Sequence, residues 1–219
     1  MRPSRRLSPA ATLPRILPPA PLRFLVPLPF LLLAASPPEA GAQDPGTALE
    51  RLLPQVEEEV LARAELAQQI VDQVFSYAEL GFQETETSAY LVRILREHGF
   101  EVEEGISDIP TAWWARWGAG NPVIAIGSDI DGIPKASQRP GVAFHDPLVE
   151  GAPGHGEGHN SGKAVNIVAA IALKEVMERE GIEGTLILWP GVAEELVATK
   201  AWYVRDGWFD EVDLALFTH

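Results

Sequence analysis

The chain has 219 residues, 17 basic against 31 acidic for a net charge of −14, and no cysteine. The missing thiol excludes disulfides, thiolate zinc sites and cysteine nucleophiles, so any metal must be held by nitrogen and oxygen. The acidity argues against a nucleic-acid partner, because little basic surface is available to neutralise phosphates.

Residues 1–42 read as a secretory signal peptide. Arg2, Arg5, Arg6, Arg15 and Arg23 give a basic start, residues 24–35 are apolar, and Ala40-Gly41-Ala42 supplies a small-residue cleavage site before Gln43. The apolar run falls short of the ~20 residues a membrane span requires and contains Pro27 and Pro29. An exported protein with no stable membrane span in its mature chain is therefore expected. Removing this segment takes away five of the 17 basic residues and one of the 31 acidic ones, leaving residues 43–219 at −18. Those 177 residues suffice for one domain with a core.

Residues 47–78 carry apolar side chains at helical spacing, with Pro54 marking a start or kink, and a second helical pattern covers 85–98. In that second helix Tyr90, Leu91, Ile94 and Leu95 are expected to face inward, and His98-Gly99 reads as its end. Short strands are expected at 100–103 and 111–117. A buried strand at 123–126 runs into Gly127-Ser128-Asp129-Ile130-Asp131-Gly132. Residues 133–153, rich in proline and glycine and containing His145, read as a loop.

The stretch Gly151–Gly162, GAPGHGEGHNSG, packs His155, Glu157 and His159 into five residues spaced by glycines. A helical HExxH motif would need an acid at Gly156, and HxxEH one at Gly158, so this is a loop site. A helix over 160–180 follows, with Val165, Val168, Ala172 and Val176 on one face, Ile171 widening it and Gly181 as its cap. Then come a buried strand at 185–189, a loop leading to Glu194-Glu195, a helix over about 196–206 and a third apolar strand at 214–217 before His219.

Alternating strands and helices indicate an α/β fold with a mainly parallel sheet flanked by helices. The three most apolar strands each end in metal-compatible side chains: Asp129 and Asp131, Glu194 and Glu195, and His219. Ligands of open α/β sheets collect outside the carboxyl ends of the strands, and the His155–His159 loop opens a helix that can reach the same edge. Glu157, His159, Glu195 and His219 form a set of two carboxylates and two imidazoles that suits Zn²⁺, and also Mn²⁺ or Co²⁺. Adjacent glutamates point in different directions. One of Glu194 and Glu195 is expected to hold metal while the other takes a proton from an activated water. Asp129 or Asp131 is expected to orient an imidazole from behind the ligands, with His155 beside them.

Taken together, GSDIDGIP, GHGEGHN, PGVAEE and the strand ending ALFTH resemble, in the same order, the aminoacylase and carboxypeptidase-type metallo-amidohydrolases. The likeness is to the aminobenzoyl-glutamate hydrolase branch, and FSYAELGFQETETS is similar to that family's amino-terminal ELGF-E-T segment. The resemblance covers roughly residues 65–219. It implies a zinc-peptidase-like catalytic domain with a two-metal site that cleaves an amide bond, often of an N-acylated amino acid. It also implies His159, Glu195 and His219 as metal ligands and Glu194 as general base, with Asp131 in the catalytic set. Glu157 stands where the branch typically has a cysteine ligand. The resemblance further implies a lid or dimerisation domain and another histidine ligand beyond His219, so an incomplete catalytic domain is expected here, and a homodimer for the full-length form.

Two other readings compete. A metal-binding fragment or pseudo-enzyme without turnover fits the same residues. VIAIGSDIDG is also similar to the nucleophile motif of haloacid-dehalogenase-type phosphatases, although Ile133 follows the glycine where threonine or valine is usual, and the His/Glu loop is left unexplained. A serine hydrolase is not supported, since GHNSG does not fit GxSxG.

Overall fold

Residues 45–197 and 199–219 are described by the structure, a computed structural model; the expected signal peptide, 1–42, lies outside the described residues. The periodic stretch that opens the fold forms two helices, α1 (Pro45–Ala62) and α2 (Ala64–Tyr77). The break falls at Arg63 rather than at Pro54, which sits inside α1. The guanidinium of Arg63 turns back onto Glu59, donating to its carbonyl at 2.8 Å and its carboxylate at 2.6 Å. α2 buries Ile70 and Val74 completely and ends on Ala78 in the left-handed region. Helix α3 (Thr85–Glu97) follows. Its first amides, which have no partners within the helix, donate to the Glu79 carboxylate from Glu86 at 3.0 Å and Thr87 at 2.8 Å. Leu91, Ile94 and Leu95 are buried as expected, while Tyr90 is only partly so.

Five strands make one sheet in the order β1-β2-β4-β3-β5: β1 (Glu101–Glu104), β2 (Trp113–Ala119), β3 (Val123–Asp129), β4 (Gly184–Gly191) and β5 (Leu214–Thr218). The α/β class holds, and the sheet is mixed. β3 runs parallel to both β4 and β5, whereas β1, β2 and β4 pair antiparallel. The three strands singled out for their apolar character are thus the parallel half. Leu186, Ile187 and Leu188 of β4 are almost fully buried at the centre of the sheet. β5 departs from expectation because it lies at an edge, and Leu214, Leu216 and Phe217 stay 40–49% exposed.

Helix α4 (His159–Glu180) packs on β3 and β4, and also on α1 and α2. Covered from two sides, it buries Ala164, Ile167, Val168, Ala170, Ile171 and Ala172. Val165, expected on the buried face, falls on the exposed stripe instead. A Cβ on Gly162 would lie 2.6 Å from Ser128 Oγ. The absence of a side chain there lets the first turn of α4 sit against the carboxyl end of β3. The last helix, α5 (Thr199–Arg205), begins three residues later than read from sequence, since Glu194–Leu196 form a separate 3₁₀ turn.

Register sets the site. Asp129 of β3 stands opposite Gly191 of β4, and Ser128 stands opposite Thr218 of β5. All three parallel strands therefore end level, and the residues that follow them share one rim with the start of α4.

Candidate metal centre

His159, the first residue of α4, is the best-determined group at that rim. Its side chain is 2% exposed, and Nδ1 lies 2.8 Å from the backbone carbonyl oxygen of Asp131. A carbonyl only accepts, so Nδ1 carries a proton, and in the neutral ring Nε2 is the nitrogen with the lone pair. That nitrogen is buried without a hydrogen-bond partner and faces Glu157 Oε2 and Glu194 Oε2, each at 4.0 Å. A lone pair aimed at two carboxylates is unfavourable unless positive charge, a metal ion or a proton, sits among them. The separation is about twice a ~2.0–2.2 Å bond from zinc to imidazole or carboxylate.

The remaining donors gather around this nitrogen. His219 Nε2 is 3.5 Å from Glu157 Oε2, and its ring meets that of His159 edge to face at 5.2 Å between centroids. Two donor sets result, each with its atoms within 4.8 Å of one another: Asp129, His159, Glu194 and His219, and Glu157, His159, Glu194 and Glu195. His159 and Glu194 belong to both. All four ligands named from sequence, Glu157, His159, Glu195 and His219, are thus brought together, and Glu194 joins them. Oxygen and imidazole donors, with His159 Nε2 and Glu195 Oε1 buried and unpartnered, fit a hard-to-borderline divalent cation.

The aspartates stand behind these donors. Asp131 is fully buried. Its backbone carbonyl holds the His159 ring, its Oδ1 lies 3.7 Å from His159 Nδ1, and its Oδ2 accepts the Glu195 N–H at 3.1 Å. Burial pushes its carboxyl above the usual range, against the pull of the Glu195 and Glu194 amides. Asp129, also fully buried, is ion-paired with Lys200, whose Nζ lies 2.9 and 3.1 Å from its two oxygens. Its carboxyl is likewise pushed up by burial, with Lys200 opposing. Glu195 is raised first by desolvation and then by the charges of Glu157, Glu194 and Asp131. Five carboxylates here outnumber the nearby lysines, Lys200 paired with Asp129 and Lys163 beneath it, and a bound divalent cation would relieve that excess.

His155 does not join the cluster. Its Nε2 donates to the carbonyl of Val74 at 3.1 Å, and burial drives its pKa down to about 4, so the ring is a neutral tie between the loop and α2. Asn160 repeats the tie, donating to Val71 O at 3.1 Å. His145 is exposed on the loop and stands apart. Both aspartates of the Asp-x-Asp pair are buried, one held by Lys200 and the other by the Glu195 amide. Burial of both is complete, whereas a phosphatase nucleophile must reach a phosphate ester, so the arrangement does not favour the phosphatase reading.

Sequence reasoning gave no role to Glu84 or Lys200. Glu84 is fully buried and accepts the Ala193 N–H at 2.8 Å. Its only trace in the sequence is the ELGFQET stretch.

No protein-family model matches the chain. It is 37% identical over 150 residues to a subunit of the p-aminobenzoyl-glutamate hydrolase of Escherichia coli (strain K12), covering 68% of this chain and 31% of that protein. It is 28% identical over 147 residues to N-acetyl-L-cysteine deacetylase of Bacillus subtilis (strain 168), covering 65% of this chain and 33% of that one. Among solved structures, Bacillus subtilis YXEP, described as a dinuclear metal binding peptidase from the M20 family, superposes with a TM-score of 0.57 at 25% identity, over 70% of this chain and 42% of that chain. The chain belongs to this M20 amidohydrolase and peptidase family. A second M20-like fold, an aminobenzoyl-glutamate utilization protein from Klebsiella pneumoniae, gives a TM-score of 0.56 at 16% identity over 75% of this chain and 46% of that one. The chain spans about a third of the length of the curated M20-type relatives it matches. No described helix is long and apolar enough to cross a membrane.

Proposed function

We propose that the protein is a metal-dependent hydrolase of an amide bond in an N-acyl amino acid, an aminobenzoyl-glutamate-like or a peptide-like substrate. The observation that carries this is the buried, unpartnered His159 Nε2, fixed in tautomer by Asp131 and turned toward Glu157 and Glu194. The names of the curated relatives, a p-aminobenzoyl-glutamate hydrolase and an N-acetyl-L-cysteine deacetylase, support the substrate class.

Glu157, His159, Glu195 and His219 would hold two divalent ions, Zn²⁺ foremost, with Mn²⁺ or Co²⁺ as alternatives. When bound, such ions lower the pKa of water and polarise a carbonyl. Asp131 keeps the His159 ring in register through its carbonyl and ties down the Glu195 amide. Glu194, partly exposed and within reach of both donor sets, would take a proton from the attacking water at its carboxylate and return it to the leaving amine. His155, proposed from sequence as a group beside the ligands, keeps the loop seated on α2. Export through residues 1–42 and a homodimeric assembly are part of the proposal.

Replacing Glu194 with Gln tests it. Metal content should persist while hydrolysis of N-acyl amino acids falls by ~10²–10⁴-fold. Unchanged turnover would remove Glu194 as the base. Metal uptake by the wild-type protein with no hydrolysis of any N-acyl amino acid would favour the non-catalytic, metal-binding alternative.

A further inference from the structure

The ELGFQET stretch takes no part in holding a cation, yet it lies directly against both loops that carry the cluster. The Gly132 N–H donates to the Glu79 carbonyl at 2.7 Å, and Leu80 forms a bridge with Gly132, next to Asp131. A Cβ on Gly81 would lie 2.9 Å from both Cα and Cβ of Ala193 and 3.2 Å from Leu196 Cδ1. The turn therefore packs without a gap under the Glu194–Leu196 segment.

That segment is held in an unfavourable backbone conformation at both ends. Ala193 has φ 51° and Val197 has φ 66°, and a β-branched residue in the left-handed region is a true outlier. Such conformations persist only where the surroundings over-determine them. At Ala193 the restraint is visible. Its N–H donates to Glu84 Oε1 at 2.8 Å, while Glu84 Oε2 accepts the Thr111 hydroxyl at 3.0 Å. The Thr111 carbonyl is itself held by the Ser88 hydroxyl at 2.6 Å. Glu84 is fully buried, and these partners are an amide and a hydroxyl rather than a base. Placing a carboxylate where its desolvation is opposed only by such partners is costly, and what it holds is the residue immediately before Glu194.

We propose that Glu84 is a positioning residue for the Glu194–Glu195 pair: its carboxylate fixes the left-handed conformation of Ala193 and so aims both glutamates at His159. The inference rests on the metal-centre reading above. Without an acceptor at that distance, Ala193 relaxes toward negative φ and the two carboxylates turn away from the shared nitrogen.

The test is Co²⁺ binding to the full chain, followed by titration and by the visible d–d absorption, with folding checked by circular dichroism. Glu84→Ala should bind Co²⁺ about 10–100-fold more weakly, the range for losing a group that supports metal ligands, and its absorption band should shift. Glu84→Gln should restore affinity to within about threefold, because its amide oxygen still accepts the Ala193 N–H while its amide nitrogen donates to Thr111 Oγ1. Should Glu84→Ala fail to fold, Glu84→Asp carries the test: it keeps the charge but withdraws the acceptor by about 1.5 Å, one C–C bond, and should also weaken and shift the signal. A folded Glu84→Ala or Glu84→Asp protein with wild-type Co²⁺ affinity and spectrum would overturn the positioning role alone. A wild-type protein that takes up no Co²⁺ would overturn the metal centre and this inference with it.

Discussion

The inner and outer halves of the cluster differ in how they are held. His159 and Asp131 have side chains 2% and 0% exposed and are fixed by hydrogen bonds to backbone groups. Glu157 and His219 are 46% and 52% exposed, and what fixes their side chains is chiefly their mutual 3.5 Å approach and the rim of His159. The inner donors are thus preorganised before any ion arrives, while the outer ones have fewer contacts to hold them. Preorganisation lowers the entropy that binding must remove, so affinity should concentrate in the inner half.

Mutations can break that contrast. The largest effect should come from His159→Ala, which removes the one nitrogen common to both donor sets; binding of Zn²⁺ or Co²⁺, read by calorimetry, should weaken by about 100-fold or more. Next comes Asp131→Ala, which leaves the carbonyl that holds His159 but frees the Glu195 amide, with an expected loss of ~10–100-fold. Glu157→Gln should cost only about tenfold or less, since a half-exposed donor held by few contacts contributes least. Equal losses at Glu157 and His159 would erase the distinction. Glu157→Cys would sharpen it by shifting preference from Mn²⁺ toward Zn²⁺, because a thiolate is the softer donor; competition between the two metals would measure this.

A smaller prediction concerns the floor beneath the inner half. Lys163 is fully buried on α4, donates to the Trp189 carbonyl at 2.8 Å and lies 5.2 Å from the centre of the Trp113 ring, and burial lowers its pKa to about 7. The unfolded chain then holds the proton over a window, from about pH 7 to about 10.5, in which the folded chain has released it, so stability should rise with pH there. Denaturant titrations at pH 6.5 and pH 9 should show this rise, on the order of 1–3 kcal/mol, in the wild type and a flat response in Lys163→Met.

The parts of the site legible in the sequence were those that follow from strand direction. Apolar strands at 123–126, 185–189 and 214–217 each ended in an acid or a histidine, and parallel register brought those ends level. What stayed hidden depends on contacts with no periodic trace. The Glu84–Ala193 bond spans 109 residues and the Lys200–Asp129 pair 71. The order of the sheet is of the same kind: β4 pairs antiparallel with β2 and parallel with β3, so β1 and β2 add an antiparallel flank that alternation alone did not suggest. His155 was read from sequence as a group beside the ligands, and the contact that holds its ring, the carbonyl of Val74 on α2, had no trace in the spacing of the loop. Val165 was misread because a helix covered from two sides leaves an exposed stripe too narrow to identify from a single apolar face.

His159 offers one lone pair to two overlapping donor sets. A single nitrogen cannot serve both positions equally, so loading would be ordered rather than simultaneous. Capture of His159 by the set that holds His219 would give that ion two imidazoles and leave its neighbour with carboxylates alone, whereas capture by the set with Glu157 and Glu195 would give each ion one imidazole. Two chemically identical cations would then occupy inequivalent sites, and stoichiometric titration would show two successive phases, the tighter one belonging to the ion that His159 ligates.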